Sequence, residues 1–117
     1  LMYAEAVLRN GEGGDIGTAI GYINELRNRA YGNTDGNISQ GDLDLPFILD
    51  ERARELYFEG TRRIDLVRFG QFTGDAYLWP WKGNVKEGIA TDSYRDIFPI
   101  PASDLLANFN LNQNTGY

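Results

Sequence analysis

Apolar residues recur at helical spacing along three stretches of this chain and then lose all period. Leu1, Ala4, Val7 and Leu8 share one face of a predicted helix ending near Asn10, with Gly11 placed to stop it and Gly13-Gly14 as the turn. Ile16, Ala19, Ile20, Ile23 and Leu26 carry the period through a second helix, which Asp15 caps and which ends near Gly32. Residues 1–31 therefore read as two antiparallel helices, similar to a tetratricopeptide unit, that cannot bury their apolar face without neighbours.

Residues 32–45 are rich in Gly, Asn and Asp and read as a loop; Asp44 is placed to cap the next helix, with Pro46 in its first turn. Over residues 46–70 the apolar positions Leu49, Ala53, Leu56, Tyr57, Ile64 and Val67 predict two helical segments packed on one side and hinged at Gly60. Beyond them, Gly74, Gly83 and Gly88 interrupt and Phe72, Tyr77, Trp79 and Trp81 cluster without period, so irregular structure, at most a short hairpin, is expected over residues 71–97. Pro99 and Pro101 force an extended stretch, after which Ser103 or a neighbour caps a brief turn over residues 104–107. The remaining tail reads as an ordered, irregular clasp.

Charge changes the picture most between Asp50 and Gly70, where five carboxylates and five arginines thread the apolar frame. The spacing offers pairs at i,i+3 and i,i+4: Arg52 with Glu55, Glu59 with Arg62 or Arg63, and Asp65 with Arg68. Because every cation there is arginine, which favours planar, partly buried contacts, Glu51, Arg52, Glu55, Glu59, Arg62, Asp65 and Arg68 read as a structural ion-pair network.

The run Glu51-Arg52-Ala53-Arg54-Glu55-Leu56-Tyr57-Phe58-Glu59-Gly60, followed by Arg62-Arg63-Ile64-Asp65-Leu66-Val67-Arg68-Phe69-Gly70, resembles the signature of the SusD/RagB family of outer-membrane nutrient-binding lipoproteins. Phe98-Pro99-Ile100-Pro101, Asp104-Leu105, residues 108–111 and Gln113-Asn114-Thr115-Gly116-Tyr117 resemble that family's closing sequence, and residues 1–30 match as well. Phe109 and Thr115 stand where the family usually has proline, which loosens the local backbone. The resemblance implies a mainly α fold, the C-terminal portion of a SusD-like domain: the helix pair at 1–31, signature helices at 46–70, and an irregular region with its clasp at 71–117. Since Leu1 opens an apolar helix with no capping residue before it, upstream sequence and exposed apolar surface are expected.

Composition narrows the chemistry. At 117 residues the chain is one domain at most. Its net charge of −6 arises in residues 1–60, which hold eleven acids against five arginines, while residues 61–117 balance at six and six. No basic stripe exists to neutralise phosphates, so nucleic acid is a poor partner. With no cysteine and no histidine, disulfides, thiol nucleophiles, imidazole ligands and histidine-based triads are all excluded. No apolar run approaches the length needed to span a membrane.

Catalysis would have to rest on Glu51, Glu55 and Glu59, as in a carboxylate glycosidase, but neighbouring arginines favour the ionised form and oppose a protonated general acid. Asn33, Asp35, Gly36, Ile38 and Asp42 fall at calcium-loop spacing. The first position, however, is Tyr31 and the last an aspartate, so a polar loop is preferred and no metal is expected. Gly11, Gly13, Gly14 and Gly17 follow no strand and do not form a phosphate cradle. Tyr77, Trp79 and Trp81, beside Lys82 and Asn84, are candidate ligand-binding residues because indole and phenol rings stack on the C–H faces of sugars. The same aromatics suit a core plug around Pro80, which is the preferred reading.

By resemblance the protein is expected to be a non-enzymatic, lipid-anchored subunit at the bacterial outer-membrane surface. It would capture a glycan or other nutrient without a cofactor, pass it to a SusC-like TonB-dependent transporter, and touch the membrane only through an anchor upstream of this chain. The alternatives are the glycosidase and a helical protein-interaction module without sugar binding.

Overall fold

The computed structural model describes residues 1–117 and is mainly helical: five α-helices, three single-turn 3-10 helices, and no strand. The α-helices are α1 (Met2–Leu8), α2 (Ile16–Tyr31), α3 (Leu45–Glu55), α4 (Arg62–Arg68) and α5 (Ala102–Ala107). The chain forms two compact units, Leu1–Arg62 and Arg63–Tyr117. No helix is long and apolar enough to cross a membrane.

In the first unit α1 packs on α2 and α3, and its core is built from Ala4, Ala19, Ile23, Leu43, Ile48 and Leu49. Helix α2 begins where expected because the Asp15 carboxylate accepts the Thr18 amide at 2.7 Å and the Thr18 hydroxyl at 2.8 Å, satisfying a donor that the first helical turn leaves orphaned. Those bonds hold the Asp15 carboxyl below its usual range, and the Ser39 hydroxyl and amide do the same for Asp42. Gly32 supplies the left-handed cap at the end of α2. Asp44 caps α3 through the Phe47 amide at 2.7 Å, with Pro46 in the first turn.

Three expectations are corrected here. The first helix stops at Leu8, and Asn10, not Gly11, takes the left-handed conformation (φ 62°); the Gly11 amide reaches back to the Ala6 carbonyl at 2.8 Å. Tyr57 and Ile64 do not pack inward: α3 ends at Glu55, Phe58 and Gly60 both have positive φ, and the turn swings Tyr57 out to 74% exposure. A single helical period cannot be carried across a break of that kind. Ser103 does not cap α5, whose cap position is Pro101 with no side-chain bond; proline's fixed φ starts the turn instead.

The second unit is held by side chains more than by helices. Its one β feature is an isolated antiparallel bridge between Gly74 and Thr91. Towards the terminus Gln113 clamps Ile100, taking its amide at 2.8 Å and donating to its carbonyl at 2.9 Å. Asn114 donates to the Phe98 carbonyl at 2.8 Å and the Tyr117 hydroxyl to that of Ile97 at 2.7 Å. These bonds make the clasp an ordered element without ladder pairing.

Candidate functional site

The charged signature resolves into two separate groups. In the first unit Glu51 is buried, and its Oε2 accepts from Arg27 Nη1 at 2.8 Å and from Arg54 Nη2 at 2.7 Å and Nε at 3.0 Å. Arg27 also donates to the Gly36 carbonyl and lies over the Tyr31 and Phe47 rings, so one guanidinium ties α2, α3 and the intervening loop together. Glu55 pairs with Arg29 of α2. Arg62 donates to the Leu49 carbonyl at 2.9 Å, with Asp50 3.9 Å away. In the second unit Arg68 reaches the buried Asp65 at 3.2 Å.

Glu59 is the exception: its side chain is exposed and pairs with neither Arg62 nor Arg63, because the broken turn between α3 and α4 removes the helical register that the pairing requires. Arg52 has interactions of its own. Arg54 lies at i,i+3 from Glu51 on the same helix, a spacing the sequence offers. Arg27 and Arg29 lie on α2, more than twenty positions away, and periodicity reports only neighbours within one helix.

The loop with calcium-like spacing is closed on itself. Asn33 and Asp35 bond to each other at 3.0 Å, and Gly36 is buried against the Tyr31 ring, where a Cβ would stand 2.6 Å from a ring carbon. No group of three or more carboxylates is arranged to hold a metal ion.

Within the second unit lies an open cleft of about 640 Å³. Its walls carry aromatic faces from Phe72, Trp79, Phe98 and Tyr117, cations from Arg63, Lys82 and Arg95, and polar groups from Asn84, Thr91 and Asp92. Of the three aromatic candidates only Trp79 lines it. Tyr77 packs against Trp79 at 5.6 Å from outside the lining, and Trp81 projects elsewhere, 64% exposed, with φ 70°.

Lys82 organises the aromatic segment. It is 2% exposed, donates to the Gly74 and Tyr77 carbonyls at 2.8 and 2.7 Å, and sets its ammonium 4.7 Å from the centre of the Trp79 ring. A lysine this deep is tolerated because donors and charge are met by carbonyls and a π face. Arg63 donates through Nη2 to the carbonyls of Arg95 and Asp96 at 3.0 and 3.2 Å and lies 3.8 Å from the Phe98 ring centre. Phe72, Phe98, Arg95 and Tyr117 carry no sequence signal for this role, since they converge from distant, irregular segments.

The whole chain, residues 1–117, matches the model of the SusD family. It is 47% identical over 117 residues to the starch-binding protein SusD of Bacteroides thetaiotaomicron, an alignment spanning all of this chain and 20% of that protein. Its fold superposes on the surface glycan-binding protein A from Bacteroides thetaiotaomicron with a TM-score of 0.72 and 30% identity, over 96% of this chain and 22% of the other. The chain thus spans about one fifth of the length of each relative. With signature, fold and a family match over the whole of this chain in agreement, this chain belongs to the SusD family.

Proposed function

We propose that the chain is the C-terminal portion of a non-catalytic, lipid-anchored, cell-surface subunit of the bacterial outer membrane, which binds glycan and delivers it to a SusC-like TonB-dependent transporter. The aromatic cleft of the second unit is its contact with sugar. The observation that carries this reading is the wall formed by Trp79, Phe98 and Tyr117 beside cationic and amide donors, in a chain 47% identical to a starch-binding protein. Flat apolar rings cover the C–H faces of a pyranose while a few directed donors take its hydroxyls. Trp79 is the chief stacking residue, with Tyr77 behind it; Trp81 is a second, outward-facing platform.

Two of the three candidate carboxylates support the non-catalytic reading. Glu51 is locked between two arginines and Glu55 is paired with a third, so neither is placed to give and take protons beside a glycosidic bond. Calorimetric titration with a panel of neutral and acidic oligosaccharides tests the reading. Binding is expected, with affinity falling at least tenfold in Trp79→Ala, roughly the worth of one aromatic stacking contact. No binding to any glycan by the folded protein, or turnover of reporter glycosides that is lost in Glu55→Gln, would overturn it.

A further inference from the structure

Arg9, Arg27, Arg29, Arg54 and Arg68 each reach a carboxylate. Arg63 and Arg95 do not, and both line the same cleft. The Arg63 guanidinium is fixed by two backbone carbonyls at Nη2 and by two rings, Phe98 at 3.8 Å and Phe72 at 4.7 Å from their centres, which leaves the Nη1 and Nε donors without a protein acceptor. Arg95 makes no side-chain hydrogen bond or ion pair. Its guanidinium rests 5.0 Å from the Tyr94 ring centre and keeps its whole fork of donors. In residues 61–117, whose charges balance at six acids and six cations, two guanidinia without a carboxylate partner on one cleft wall make that wall locally cationic.

The acids nearby do not cancel it. Asp92 is the one carboxylate on the wall, against Arg63, Arg95 and Lys82. Asp96 lies off the wall, one oxygen accepting from the Thr73 hydroxyl at 3.1 Å and the other buried without a partner; with its charge counted as well, three cations face two acids. Guanidinium forks match a carboxylate in shape and charge, and a donor held in place beforehand loses little freedom on binding.

Building on the glycan-binding reading, we propose that this cleft selects acidic sugars: Arg95 grips the carboxylate of a uronic acid end-on, Arg63 adds a single donor from a fixed position, and Trp79 and Tyr117 cover the pyranose.

The test titrates uronic-acid oligosaccharides against the same oligosaccharides with their carboxylates methyl-esterified, at neutral pH and at low and high salt. The acid form is expected to bind roughly tenfold tighter or better, with a preference that shrinks as salt rises, as hydrogen bonds to a charged group require. In Arg95→Gln the acid-to-ester ratio falls towards one, while Lys86→Gln, outside the cleft, keeps it. Because Arg63 also staples backbone, Arg63→Lys is read only after near-ultraviolet circular dichroism shows native packing, and it too lowers the ratio. Equal binding of acid and ester overturns the inference and leaves the glycan reading standing; failure of both forms and of neutral starch oligosaccharides removes that reading as well. A preference unchanged in Arg95→Gln, or citrate bound as tightly as the oligosaccharide, also overturns the inference.

Discussion

Arg27 and Glu51 meet at 2.8 Å across 24 positions of sequence, and the same carboxylate oxygen takes two further bonds from Arg54. This junction, not the pairing of neighbours along one helix, fixes α3 against α2. Truncating Glu51 to alanine would strand a half-buried guanidinium, at a cost of about 3 kcal/mol. Urea unfolding of Glu51→Ala, compared with Arg27→Met/Glu51→Leu, reads this directly. The double variant is expected to be the more stable of the two, and a loss below about 1 kcal/mol in Glu51→Ala would contradict the assignment.

Lys82 poses the same question in the second unit. Lys82→Met keeps the stem and removes the ammonium that engages the Gly74 and Tyr77 carbonyls and the Trp79 face. A loss of about 2 kcal/mol is expected, with a red shift of tryptophan emission as the segment loosens. Unchanged stability together with unchanged emission would show that the aromatic segment holds itself.

Acid should loosen the start of α2 through Asp15. Its carboxyl is held below the ordinary value by bonds from Thr18, so the stabilisation is fully present above the unfolded pKa of about 3.9 and is lost as pH falls through the lower folded value. Protection of the Thr18 amide against hydrogen exchange, relative to its intrinsic rate at each pH, should therefore fall over that acid window. In Asp15→Asn, which caps without titrating, the acid-dependent part should vanish. Equal acid sensitivity in the two proteins would refute the linkage.

Phe58 sits at φ 68° and is 92% exposed, so its backbone carries left-handed strain that only an edge contact with Tyr57, at 4.7 Å between ring centres, offsets. Phe58→Gly is expected to gain about 0.5 to 1 kcal/mol in thermal unfolding. A comparable loss would mean that the Tyr57 contact outweighs the strain.

The helical half was legible because local chemistry decides it: Asp15, Asp44 and Gly32 mark their ends by capping, and Ala19 and Ile23 mark the buried face by period. What sequence could not show was anything joining distant positions. Glu55 has an arginine three residues before it at Arg52, yet the structure sets it against Arg29, 26 positions away. The cleft was legible at Trp79 and at its polar neighbours Lys82 and Asn84. Its other walls come from segments with no repeat, and a tryptophan two residues along, at Trp81, looks equivalent in sequence but points elsewhere because its backbone is left-handed.

The terminal residues have one more consequence. Gln113, Asn114 and Tyr117 occupy the amide or carbonyl groups of Ile97, Phe98 and Ile100, the extended run around two prolines. A bare extended segment with free amides and carbonyls invites a foreign strand to dock and begin aggregating. Here amide and phenol side chains fill those positions from within the same molecule, so the segment stays extended while offering no template for a neighbour.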